Sequence, residues 1–405
     1  MLLLPIFASQ IITAAYTSDI ATDELSLEAL EETRQEIYDE FEALVVPNGT
    51  ERRAWAERIE ATLDERDFSA ARGYLLAAPL MLNKQDSAAV LAAADAESSG
   101  SRDQRLARAA LLFLPEELRA SYQRSTAPPP PPEPTPTDDE EAETETTETP
   151  DEEPQADTPR ATGNSVQLSP MDEPFAQQGS FFLLGDPADL TRRSQRWLAQ
   201  EQIDSLQLRL RALGLMTQND LSPESKAVFE AASILRGAHR AGRLNDRFVR
   251  YLSSRVEDAL PEDVLRAELE IAFEPVMTTE ARTVEVLKAY EAALQPAARE
   301  RLAGDMKIVA RIAELTSSSG AIRLVEQART PEDMRRARLL SESGGHRSVA
   351  LARELGPEVL SLAQIGVQWS YGLVLQVMGL MALGMALVWT TLSALMQAET
   401  IRFRS

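Results

Sequence analysis

Two histidines, 64 acidic side chains, 41 lysines and arginines and no cysteine set the chemistry open to this 405-residue chain. Without cysteine there is no disulfide, thiolate metal site or cysteine nucleophile. His239 and His346 stand far apart in the chain, neither at a metal-helix spacing, so a zinc centre is not expected. Both read as exposed loop residues, His239 among arginines and His346 after two glycines. Neither a glycine-rich phosphate loop nor a Gly-x-Ser-x-Gly nucleophile turn occurs. A carboxylate pair for glycan hydrolysis needs only a set separation, and the order of the acids singles none out. One spacing stands out. Arg236, Arg240, Arg243, Arg247 and Arg250 recur at four, three, four, three, which on one helix lines a single face, although Gly237 and Gly242 interrupt that helix. Such a face is either an ordinary solvated surface or an anion-binding site for lipid head groups, an acidic envelope polymer or the chain's own acidic stretch. No catalytic, cofactor-binding or metal-binding residue is expected.

The elements that would position these residues read as helices throughout. From 19 to 124, Leu27, Leu30, Ile37, Phe41 and Leu44 keep a three-and-four spacing, and Trp55, Ile59 and Leu63 repeat every fourth residue. Phe68 to Ala78 stops at Pro79, Ser87 opens an alanine-rich helix, Ser101 caps another, and Pro115 starts a short last one. These make a small helical bundle. A second helical domain spans 177–360. Asp186-Pro187 opens a helix expected to run through Leu206 and Leu210 to Gly214, and Ser222-Pro223 opens one ending at Gly237. Asn245, Pro261, Thr279, Pro296 and Thr330 mark further starts, the last with an acid at the third helical position.

Between the two regions, 125–176 reads as a disordered linker. Residues 128–159 hold ten prolines and twelve acids with no lysine or arginine, so more than half of the net charge of -23 falls there. Such a segment cannot bury enough apolar surface to offset its ordering entropy. The acidic balance argues against nucleic acid as a partner.

Residues 1–15 are apolar, too short to span a bilayer and end in small side chains, the pattern of a signal peptide. Within 361–398, Leu373 to Leu395 carries no charge and at helical rise covers about 34 Å, enough for a transmembrane helix. Its seam of Gln376, Gly379, Leu383, Ala386, Thr390, Ser393 and Gln397 alternates by threes and fours, suited to coiled-coil-like association with a second copy or another helix. A short tail, 399–405, holds Arg402 and Arg404, which favours a cytoplasmic tail and an exported bulk.

Leu206-Gln207, Leu210, Leu213-Gly214, Asp220, Ser225, Ala227-Val228, Phe229, Gly242 and Leu244 resemble the small three-helix peptidoglycan-binding domain of bacterial envelope proteins, over about 190–255. Leu221, Pro223, Ser225 and Glu230 stand where that family has loop glycines, a threonine and a glutamine, which alters its glycan-contact loop. Arg338-Leu339-Leu340-Ser341, Gly345 and the stretch from Glu354 to Trp369 resemble the end of an uncharacterised family of secreted bacterial helical proteins, over about 261–369. Both resemblances imply a cell-envelope location.

The expectation is an all-α protein of two helical domains, an acidic proline-rich linker and a C-terminal anchor in the inner membrane, its bulk periplasmic or extracellular. Its expected work is non-catalytic: presenting a helical domain on the tether to a partner protein or to peptidoglycan. The rival expectation is a glycan-acting enzyme using a carboxylate pair.

Overall fold

The computed structural model describes residues 25–126 and 186–363, apart from Val46, Asn219 and Leu221. Among them every regular element is helical. The first stretch forms α1 (Leu27–Ala43), α2 (Glu51–Asp64), α3 (Phe68–Leu76), the single turn α4 (Ala78–Met81), α5 (Lys84–Ala96), α6 (Arg102–Leu111) and α7 (Glu116–Thr126). The second forms α8 (Pro187–Leu198), α9 (Ser205–Thr217), α10 (Pro223–Arg240), α11 (Asp246–Ala259), α12 (Glu262–Phe273) and α13 (Thr279–Ala293). It continues with α14 (Pro296–Leu315), α15 (Ser318–Gln327), α16 (Pro331–Gly344), α17 (His346–Leu355) and a 3-10 helix η1 (Gly356–Leu362).

Local chemistry sets most of these boundaries. Ser101 and Gln104 close a reciprocal capping box on α6, and Thr330 and Asp333 close one on α16. Asp67, Asn83, Asp186, Asp204, Ser222, Asn245 and Thr278 each accept from a first-turn amide that the helix leaves without a partner. Several expected boundaries differ; Thr278, not Thr279, caps α13, and the Phe68 helix ends at Leu76, with Pro79 inside the turn α4. The helix opened by Asp186 ends at Leu198, where Gln200 takes a left-handed φ of 61°, and the Asp204 cap restarts the chain as α9. Gly214 and Gly237 end nothing; both are buried inside α9 and α10. The alanine-rich helix starts at the Asn83 cap, four residues before Ser87.

The two regions share one core. Ile37, Phe41, Trp55 and Tyr74 from the first and Phe248, Tyr290, Leu340 and Val349 from the second belong to the same cluster of buried side chains. The joint is a seam in which α3 lies along α17 and α1 along α16. Close approach there depends on glycine. A Cβ on Gly73 would lie 2.2 Å from the carbonyl oxygen of His346, and one on Gly344 would lie 2.7 Å from Ile37 Cδ1. Around this contact, Ser69 Oγ and His346 Nδ1 are 3.0 Å apart, Arg323 Nη2 donates to Asp67 at 2.9 Å, and Arg353 Nη2 donates to Glu65 at 2.7 Å. Tyr74 donates to Glu354, which also accepts from Arg58 at 3.1 Å. His346 is therefore no exposed loop residue: it opens α17 and is buried in the seam.

Val359, Leu360 and Leu362 of η1 are buried against the same body. Among the described residues no helix is long and apolar enough to cross a membrane. The expected span over 373–395, with Gln376, Gly379, Ala386, Thr390 and Ser393, lies outside the described residues. So do the signal-like residues 1–15 and all of 127–185.

Candidate anion-binding cleft at the seam

Where the two regions meet, a cleft of 660 Å³ opens between α1, the α3–α4 corner, α5 and α6 on one wall and the ends of α14, α16 and α17 on the other. Its four cations come from three elements: Arg34 on α1, Arg102 and Arg105 on α6, and Arg347 on α17. Its acids are Asp95, Asp103 and Glu342, and Leu76, Leu80 and Leu106 supply apolar wall.

Packing fixes the orientation of these guanidiniums. Arg347 is mostly buried, donates through Nε to the Leu76 carbonyl at 3.2 Å and stands 3.7 Å from Asp103. Arg105 donates through Nη1 to the Glu97 carbonyl at 2.9 Å, while its Nε is buried with no acceptor. Arg34 pairs with Glu31 along its own helix and reaches the Ser343 carbonyl at 3.5 Å. The Ser343 hydroxyl, also buried, has no partner. Glu342, by contrast, is held by Arg311, which donates to both carboxylate oxygens at 2.8 and 3.0 Å. With one acid so occupied and Asp103 beside Arg347, the cleft offers more donors than acceptors. Its lining therefore suits an anionic group attached to an apolar body.

The arginine row expected from the sequence is not part of this cleft, nor is it one face. Gly242, with φ of 66°, turns the chain between α10 and α11. Arg236 is buried, Arg243 pairs with Glu326 at 3.0 Å, and Arg247 and Arg250 are exposed on α11. Arg240 closes α10 and is exposed. His239, expected on a loop, sits in the last turn of α10, its Nε2 2.8 Å from the carboxylate of Asp204, the α9 cap. Arg34, Arg105 and Arg347 were not visible as a set because they come from three distant stretches. The only local hint was the pair of glycines preceding His346-Arg347.

A second feature lies on the facing helices α10 and α14. Burial pushes the Glu230 carboxyl up to about 7, and the neighbouring Glu314 carboxylate adds to the effect. Among the described residues no three histidines or acids gather to hold a metal ion. Asp220, in the segment resembling a peptidoglycan-binding loop, accepts from the Ser222 amide at 2.9 Å and from Ser225 Oγ at 2.6 Å, so its carboxylate serves the start of α10. No protein-family model matches this chain, and neither the curated proteins nor the solved structures hold a match.

Proposed function

We propose that this chain is a non-catalytic envelope protein, anchored by its C-terminal apolar run, that holds an acidic segment of a partner protein in the seam cleft. The observation that carries the reading is the cleft itself: four arginines from both regions, set around an apolar wall, with a buried guanidinium nitrogen and a buried hydroxyl unpartnered. Charge attracts the partner and apolar contact retains it, since exposed ion pairs alone contribute only about 0.2 to 1 kcal/mol each. The packed body also bears on presentation. Thr126 and Asp186, which flank the acidic stretch, belong to regions that share one core, so the distance between those regions is set by packing. Reach comes instead from the short connection to the anchor. From Ala363 to Leu373 is roughly ten residues, at most about 35 Å of extended chain, which keeps the body beside the bilayer.

The deciding experiment is fluorescence anisotropy of a labelled acidic, leucine-containing peptide with the full chain in neutral detergent, against soluble peptidoglycan fragments as the rival ligand. Saturable peptide binding that weakens with salt and is lost in Arg105→Met/Arg347→Met supports the reading. Binding of glycan alone replaces the partner, and no binding of either refutes it.

One observation favours a second reading, a glycan-acting enzyme. A carboxyl pushed up to about 7 beside a second carboxylate is the arrangement of a general acid and its companion. Peptidoglycan zymography separates the two: clearing that disappears in Glu230→Gln installs the enzyme, and an unmarked gel removes it.

A further inference from the structure

Beyond the seam, α8, α9 and α10 bring a second group of arginines together, two of them buried. Arg211 on α9 and Arg236 on α10 are 4 % and 5 % exposed. Arg193 on α8 and Arg240 at the end of α10 lie at the surface and act electrostatically on both. The carboxylate in their midst is Asp189, which accepts from Arg193 Nε at 3.0 Å and from Arg211. Arg236 is not so served: its Nε is buried without an acceptor. Desolvation, then the charges of Arg211, Arg240 and Arg193, pull its guanidinium down to about 10, so it is still charged at neutral pH. Two residues before Arg211, Arg209 is 4 % exposed, with Nε and Nη2 also unpartnered.

A buried guanidinium is tolerated when acceptors surround it, and an unpaired one is a standing penalty. Here the penalty recurs on two neighbouring helices, and the cluster grades from exposed Arg193 and Arg240 to buried Arg211 and Arg236. The exposed pair puts the outer edge of the cluster at the surface. We propose that this cluster is a binding site for a phosphate group, with Arg211 and Arg236 as its floor and Arg193 and Arg240 at its mouth. Phosphate fits better than a carboxylate because it brings about 1.5 to 2 negative charges and three strong acceptor oxygens to several forked donors at once. The site is independent of the seam cleft and of the partner reading built on it.

The test is calorimetric titration of the full chain, in neutral detergent, with inorganic phosphate, and with sodium chloride at matched ionic strength as control. One saturable phosphate site, absent with chloride, is the expected result. Arg236→Met should weaken it at least about tenfold, the usual scale for losing a charge-assisted contact. The same variant should melt higher than the ligand-free wild type, by about 2 °C or more, because an apolar side chain replaces an unpaired buried charge. A short-chain phosphatidic acid then identifies the source: displacing phosphate at lower concentration assigns the site to a lipid head group, and failing to displace it assigns the site to free phosphate. Absence of saturable phosphate binding in the wild type overturns the proposal. So does unchanged affinity in Arg236→Met, and so does a lower melting temperature for that variant, which would make Arg236 a structural contact.

Discussion

Two single side chains give this protein opposing responses to pH. Burial, reinforced by Arg72 and Arg347, pulls the His346 imidazole down to about 3, and burial with Glu314 pushes Glu230 up to about 7. In the unfolded chain the same groups titrate near 6.5 and about 4.3. His346 thus binds fewer protons folded than unfolded, so its contribution is complete above about pH 6.5 and is lost as the pH falls. Glu230 keeps a proton that the unfolded chain gives up, so its contribution is complete below about 4.3 and is lost as the pH rises towards 7. Between about pH 4.5 and 6.5 the two slopes oppose, each at most about 1.4 kcal/mol per unit. Carboxylates held below their usual range, such as Glu65 and Asp189, lose their share under more acid conditions. Urea unfolding across this window should therefore separate the variants: His346→Gln gains stability as the pH falls, and Glu230→Gln loses it. Parallel slopes would remove at least one of the two groups from the balance. Neither shift could be read from the sequence. Gly344-Gly345 before His346 resembles a loop, and only the arrival of α3, over 200 residues earlier in the chain, buries the imidazole.

At the scale of elements, the seam is held open or shut by atoms that are missing. Gly73→Ala would set a methyl 2.2 Å from a backbone oxygen of α17 and 2.8 Å from Ala350 Cβ, and a packed helix retreats only by separating the two regions. Overpacking of this kind costs about 1 to 3 kcal/mol, and contact with backbone puts Gly73→Ala at the upper end. Thr330→Ala removes the α16 capping box but no interhelical contact, for about 1 kcal/mol. Denaturation midpoints should rank wild type above Thr330→Ala and Thr330→Ala above Gly73→Ala; the reverse order for the two variants would show that the seam gives way easily. The same contrast explains what was legible. Caps such as Ser101 with Gln104, and the whole of α14 from Pro296 to Leu315, depend on residues within a few positions, so the sequence displays them. Gly73 has no local signature, since its reason lies in α17.

For the whole molecule, the joined core means that the acidic stretch is not needed to keep the regions together. Cleaving within 127–185 with a protease should leave two fragments that co-migrate on size exclusion at low and high salt, because Ile37, Phe41, Tyr74 and Val349 stay buried between them. Fragments that part on cleavage would show that tethering, and not the seam, unites them. The all-helical class was open to sequence reading because amphipathic spacing is local, whereas the union of the first and last helices rests on pairs such as Ser69 with His346, 277 positions apart. That separation is also an interval of time. At about 5 to 20 residues per second, the ribosome takes roughly 14 to 55 s to pass from Ser69 to His346. Through that interval α1 and α3 pack only against neighbours such as α2, α4 and α6 and lack α16 and α17, so the faces of Ile37 and Gly73 that meet those helices are completed only after the chain has grown to His346, and newborn chains depend on whatever shields those faces meanwhile.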